Sequence, residues 1–194
     1  MKTLILDGTE KNNHFAENVN RSILKNLKEK EIRANHLILN QHLINGCIGC
    51  LDCFFKNPGT CIFNDLVRKL PQEFIQSEVV ILITPVTFCG FSSILAKAYC
   101  RLVIQLESHL FESSEGILIR KERYPKKSPS LMVFGLEENS DLEGRKVFTD
   151  LVAQTDFDHI HSPNYKVVFL PKDKPMNDIN SIVKNIITEI GDKK

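Results

Sequence analysis

Four of the six cysteines fall in one short stretch: Cys47, Cys50, Cys53 and Cys61, spaced C-x2-C-x2-C-x7-C. Three thiolates at this spacing can converge, because a turn brings residues i and i+3 together. The fourth returns after the Pro58-Gly59 turn. Such a run can hold an iron–sulfur cluster or a tetrahedral zinc ion. The same residues can instead be small buried hydrophobes or a reversible thiol pair. These four are the metal ligands to be tested. Phe54, Phe55 and Phe63 are expected to pack the loop rather than bind anything.

A second stretch with chemical potential runs from Val79 to Lys97. Val79 to Ile83 is an unbroken apolar run, which predicts a strand buried on both faces. Thr84-Pro85 must end its ladder, because proline has no N–H to donate. A loop follows from Val86 to Phe91, with Gly90 free to take angles that other residues avoid. Ser92 or Ser93 then caps a helix expected to run to about Glu107. In open α/β sheets, ligands bind outside the carboxyl ends of the strands, where the topology reverses. The third candidate is at the start of the chain. Thr3 to Leu6 reads as a strand, Asp7-Gly8-Thr9 breaks it, and a helix follows from about Phe15 to Lys30. A strand, a glycine loop and a helix can present backbone N–H groups to a phosphate.

Thr84-Pro85-Val86-Thr87-Phe88 with the Ser-rich helix start resembles the second flavin loop of the NADPH-dependent FMN reductase and iron–sulfur flavoprotein families. Cys89 stands where those families favour Gly, and Cys100-Arg101 where Asp-Arg is common. Their four-cysteine run resembles Cys47–Cys61, with or without a cluster. At Gly8-Thr9 the resemblance is weaker, because Glu10 and Lys11 replace Pro-Arg. It implies an FMN-dependent oxidoreductase that takes hydride from NAD(P)H and passes it to a small-molecule or protein acceptor. It further implies that Gly8, Thr9, Lys11, Asn13 and His14 hold the FMN phosphate. Pro85, Val86, Thr87 and Phe88 would line the ring, with Gly90 permitting close approach. No side chain stands out as a general acid or base. Two other readings remain open: an electron-transfer flavoprotein with an iron–sulfur cluster, and a flavodoxin-like binding protein that has lost flavin.

The elements that must position these residues follow from the rest of the chain. Its 194 residues carry a formal net charge of +1, which gives no general attraction to nucleic acid or anionic membrane. No apolar run approaches the ~20 residues of a membrane span. The start of the chain is too short in apolar residues for a signal peptide. The expectation is a cytoplasmic protein in a reducing compartment. About five strands alternate with helices, including Ile32–Leu39, Ser130–Gly135 and Tyr165–Leu170. This predicts one α/β domain over residues 1–194, with three layers and a five-stranded parallel sheet. Its order is the flavodoxin-like 2-1-3-4-5. The Cys-rich loop spans 45–65. A charged, irregular insert spans 109–128, and its basic run Arg120–Lys127 reads as a solvated loop. Glu137, Glu138 and Asp141 are expected to make an acidic wall beside Pro85. Thr155–Pro163 is expected as a loop carrying surface His159 and His161. The helix after Ser92 is apolar on more than one stripe, which predicts a homodimer or higher homo-oligomer.

Overall fold

The computed structural model describes the backbone of residues 1–112, 118–122, 128–159 and 164–191, and the side chains of 1–103, 128–154 and 164–191. Five parallel strands form the sheet: β1 (Lys2–Asp7), β2 (Arg33–Ile38), β3 (Val79–Pro85), β6 (Ser130–Glu137) and β7 (Tyr165–Pro171). Their order is β2-β1-β3-β6-β7, so the doubly wound order read from the sequence holds. Two further strands, β4 (Leu106–Glu112) and β5 (Leu118–Glu122), pair antiparallel as a separate ribbon.

Strands buried on both faces must be apolar through their centres, and Leu4–Leu6, Val79–Ile83 and Leu131–Phe134 are. In β3 every residue from Val79 to Ile83 is at most 8% exposed. Alternate residues serve opposite layers. Ile5, Ile81, Ile83 and Phe134 face α1 (His14–Glu29) and α6 (Met176–Gly191), through Val19, Ile23, Val183 and Ile187. Leu4, Leu6, Leu82 and Val133 face the other layer. That layer holds α3 (Leu70–Gln76), α4 (Ser93–Tyr99) and α5 (Leu142–His159), through Phe74, Leu95 and Phe148. The edge strand β2 is exposed at its start and only half-buried beyond.

Several expectations need correction. The insert at 109–128 is not simply irregular: it contains most of β4 and all of β5, with Phe111 opposite Ile119 and Glu112 opposite Leu118. Its basic run lies partly in β5 and partly outside the described residues. The helix after Ser92 stops at Tyr99, and a 3-10 stretch (Cys100–Gln105) leads into β4. Its second apolar stripe is core of the same chain, with Leu95, Ala98, Tyr99 and Leu102 all buried. The apolar surplus of this helix therefore gives no reason to expect an oligomer. The sequence pattern reads as one helix over Asp65–Phe74, but the structure divides it into a 3-10 turn (Leu66–Arg68) and α3, because Pro71 fits only the first turn of a helix. Thr155–His159 is the end of α5 rather than loop, and His161 lies outside the described residues. Among the described residues no helix is long and apolar enough to cross a membrane.

The Cys-rich loop is tied to this frame by one buried ion pair. Arg101, 2% exposed, places Nη1 2.7 and 2.8 Å from the two oxygens of Asp65 and 3.2 Å from the Asn45 carbonyl. Asp65 also accepts from the Asn45 backbone and side-chain N–H groups at 3.0 and 3.1 Å. The two ends of the loop are thus clipped together. Burial alone would raise the Asp65 carboxyl, but hydrogen bonds from Arg101 and Asn45 outweigh it and hold the group below its usual 3.8.

Removing one partner of a buried pair strands the other charge. Arg101→Met should therefore destabilise the protein by about 3–5 kcal/mol, read from urea unfolding. Asp65 titrates lower in the folded chain than in the unfolded one. Its contribution is present in full above the unfolded value and is lost as pH falls through the folded one. The urea midpoint should hold between pH 7 and pH 5 and drop below about pH 4. In Asp65→Asn it should start lower and drop less.

Candidate functional site

The parallel register brings the carboxyl ends of β1, β3 and β6 side by side: Asp7 lies opposite Ile83, and Pro85 opposite Leu136. The segment that leaves β3 is pinned at both ends. The Val86 N–H donates to the Leu136 carbonyl at 2.8 Å. Buried Thr84 donates its hydroxyl to the Pro85 carbonyl and accepts from the Ser92 N–H, both at 2.9 Å. Ser92 then caps α4 through the Leu95 N–H. Between these pins the chain makes a two-residue hairpin, with Thr87 and Gly90 exchanging N–H···O bonds of 3.0 and 2.9 Å.

The tight turn has consequences. A two-residue hairpin favours positive φ at both central positions. Here those are Phe88 at φ 48° and Cys89 at φ 56°. The unusual conformation expected of Gly90 therefore falls on its two neighbours. A Cβ at Gly90 would come no nearer than 3.5 Å to the Thr87 carbonyl, an ordinary contact. Left-handed conformation costs a residue with a Cβ about 1–2 kcal/mol. Phe88 also places its ring wholly in solvent, at 101% exposure. Among the described residues the Phe88 and Cys89 N–H groups have no acceptor.

Beside this turn lies a cavity of about 510 Å³. Pro85, Val86, Thr87, Phe88 and Cys89 form one wall, and Leu136 to Asn139 with Asp141 form another. Glu10, Asn13 and Phe15 close the third side. The acidic wall expected from the sequence is present, but most of it is engaged. Glu137, 6% exposed, is gripped by Arg145 through Nε at 3.0 Å and Nη2 at 2.7 Å. Glu138 meets Lys172 at 2.8 Å, and Asp141 accepts the Gly144 N–H at 3.0 Å. The Glu137–Arg145 pair was not singled out in the sequence. Its signal there is faint, an acid ending a strand and a base eight residues on.

The β1–α1 loop does not gather its expected phosphate ligands. Gly8 is packed too tightly for any Cβ, which would lie 2.7 Å from Leu95 Cβ and from Ser92 Oγ. Its N–H is held by the Ile83 carbonyl at 2.8 Å. Thr9 and Lys11 line a second cavity of about 660 Å³ on the β2 side, with Asp7, Asn20 and His36. Asn13 faces the first cavity, but its side chain caps α1 by accepting from the Ala16 N–H at 3.1 Å. His14 is 92% exposed and sits 3.4 Å from Glu17. It lines neither cavity.

A buried carboxylate explains the split. Asp7 is 2% exposed. It accepts from Thr9 N–H at 2.9 Å, Thr9 Oγ1 at 2.6 Å and Asn20 Nδ2 at 2.7 Å. His36 Nε2 lies 3.4 Å from it. Burial would raise this carboxyl, but the adjacent His36 ring and the Thr9 donors prevail and hold it below its usual value. Both donors expected of Thr9 toward a phosphate are therefore already bound to an internal anion.

The cysteines do not form a ligand set. Cys47 and Cys50 are exposed, while Cys53 and Cys61 are half-buried. Gly49 and Leu51 both take positive φ, so the chain between Cys47 and Cys53 is not the compact turn assumed from the spacing. Cys53 lies in a short helix, α2 (Asp52–Phe55). Among the described residues no three Cys, His, Asp or Glu side chains converge as metal ligands. The structure lends no support to the iron–sulfur and zinc expectations. Burial pushes the Cys53 thiol up, and nearby Cys61 and Cys47 push the same way.

No family model matches the chain. No curated protein matches it either. Its fold does match solved structures. An azoreductase from Bacillus anthracis str. Sterne superposes with a TM-score of 0.71 at 12% identity, covering 100% of both chains. An NAD(P)H:quinone oxidoreductase from Methanothermobacter marburgensis gives 0.70 at 14% identity, over 98% of this chain and 97% of that one. An FMN-dependent NADH-azoreductase from Bacillus anthracis str. Ames Ancestor, in complex with FMN, gives 0.69 at 12% identity, over 98% and 99%. At such identities the likeness establishes the flavodoxin-like fold over the whole length of the chain.

Proposed function

We propose that this chain is a flavin-dependent oxidoreductase that takes hydride from NAD(P)H and delivers reducing equivalents to a small-molecule or protein acceptor. The observation that carries the reading is the cavity at the carboxyl ends of β3 and β6, framed by the Pro85–Gly90 hairpin. It lies where doubly wound folds bind ligands. Fold neighbours that are an FMN-dependent NADH-azoreductase and an NAD(P)H:quinone oxidoreductase support the same reading. A flavin supplies the two-electron chemistry when bound. The protein's own part is to hold a planar ring between Val86, Leu136 and Phe15 and to cover it with Phe88. The free Phe88 and Cys89 N–H groups are donors for a ring edge that gains negative charge. Exposed apolar Phe88, Leu142, Val147 and Leu151 support a homodimer formed beside this cavity.

A second reading, a flavodoxin-like binding protein without flavin, is favoured by the engagement of Thr9 with Asp7. One experiment separates the two. Protein mixed with flavin and freed of the excess should keep absorption bands near ~450 nm, and it should oxidise NAD(P)H when a quinone or azo compound is supplied. A colourless protein with no such activity would leave the second reading standing.

The strained turn gives a further outcome. Phe88→Gly relieves a left-handed residue and should raise stability by about 1 kcal/mol. The same change should weaken flavin retention, because the ring's cover is gone. Thermal unfolding and flavin titration of the variant test the two effects separately.

A further inference from the structure

Flavin reaches a protein in forms that share a ring and differ in the tail: riboflavin ends in a hydroxyl, FMN in a phosphate. The two ends of this site differ in what they offer. The ring end offers apolar Phe15, Val86 and Leu136, an exposed aromatic and two free N–H groups, beside an acidic wall that is mostly paired. The tail end has no matching set of donors. Asp7 already holds the Thr9 N–H and hydroxyl at 2.9 and 2.6 Å. Asn13 is spent on the helix cap, and Lys11 lines the other cavity.

Charge points the same way. Among the described residues no Lys or Arg side chain lines the ring cavity, whereas Glu10, Glu137, Glu138 and Asp141 do. Glu137, Glu138 and Asp141 have partners. Glu10 is exposed and, among the described residues, makes no ion pair, although it also borders the cavity that Lys11 and Arg21 line. Among the described residues, what the tail end keeps are backbone N–H groups of residues 10–12 and of His14 and Phe15. A phosphate brought to them carries close to two negative charges and meets the Glu10 carboxylate and buried, ionised Asp7. Like charges at close range disfavour each other, and the gain from the amides is offset.

We propose that this chain recognises flavin by its ring system and gains nothing from the phosphate, so that riboflavin and FMN bind its ring cavity about equally. The inference rests on the flavin reading above. It assigns Asp7 the part of an internal anion that fills the place of the phosphate in the β1–α1 loop. It assigns Glu10 the part of an outer charge that keeps a phosphate at a distance.

The test is a pair of fluorescence titrations, riboflavin and FMN, on the full chain at ~0.1 M salt, where the Debye length is ~10 Å. Dissociation constants within about threefold of each other (roughly RT ln 3 in free energy) are the expected result. FMN binding tighter by about thirtyfold or more would overturn the inference and leave the flavin reading intact. Binding of neither flavin would overturn both, and so is distinguishable from the first failure. Glu10→Lys supplies an independent arm, because Glu10 is exposed and its replacement leaves the core untouched. It should tighten FMN by about tenfold and leave riboflavin within twofold. Unchanged FMN affinity in this variant would overturn the assignment to Glu10.

Discussion

Everything at the candidate site hangs on the parallel ladder between β3 and its two neighbours. Parallel strands carry slanted, evenly spaced hydrogen bonds, so one register fixes the height of every strand end at once. Asp7 opposite Ile83 and Pro85 opposite Leu136 are the outcome here. A slip of one residue would turn Ile81 and Leu82 to the wrong layers, and both layers are fully packed. The apolar burial of β3 therefore fixes where Thr84 stands. Thr84 in turn fixes where the hairpin begins and where α4 starts.

The sheet was legible because central parallel strands have little freedom in composition. Leu4-Ile5-Leu6, Val79–Ile83 and Leu131–Phe134 are apolar without interruption, and all are central. The β4–β5 ribbon was not legible. Its residues include Glu107, Glu112, Arg120, Lys121 and Glu122, and a ribbon outside the main sheet need not alternate cleanly. The end of α4 was hidden for another reason. Cys100 to Gln105 continues the helical pattern of apolar residues, and the pattern does not distinguish an α turn from a 3-10 turn.

The site was legible in part. Proline at the end of β3 marked where its ladder stops, and a cavity lies beside that strand end. Gly90 drew attention as the only glycine of that loop, yet backbone geometry placed the left-handed pair one and two residues earlier. The cysteine spacing suggested convergence, but positive φ at Gly49 and Leu51 changes the direction of the chain between thiols. Spacing records separation along the chain and carries no sign of φ. Asp7 read as a mere strand breaker. Its role emerges only when Asn20, thirteen residues on, and His36, on the neighbouring strand, are brought against it. Such long-range partners leave no trace in a local window.

The Arg101–Asp65 clip has a consequence for how this chain can change over generations. It joins two points twenty residues apart, and what lies between them bears little on the sheet. Closing a loop costs an entropy that grows only slowly with its length. Insertions, deletions or exchange between Gly46 and Thr60, short of the Cys61 and Phe63 contacts to Arg101, would leave the clip, and therefore the frame, nearly as stable as before. The cysteine segment is in that sense a cassette: selection can rewrite it at its own pace while the frame beneath is held to a much narrower set of sequences.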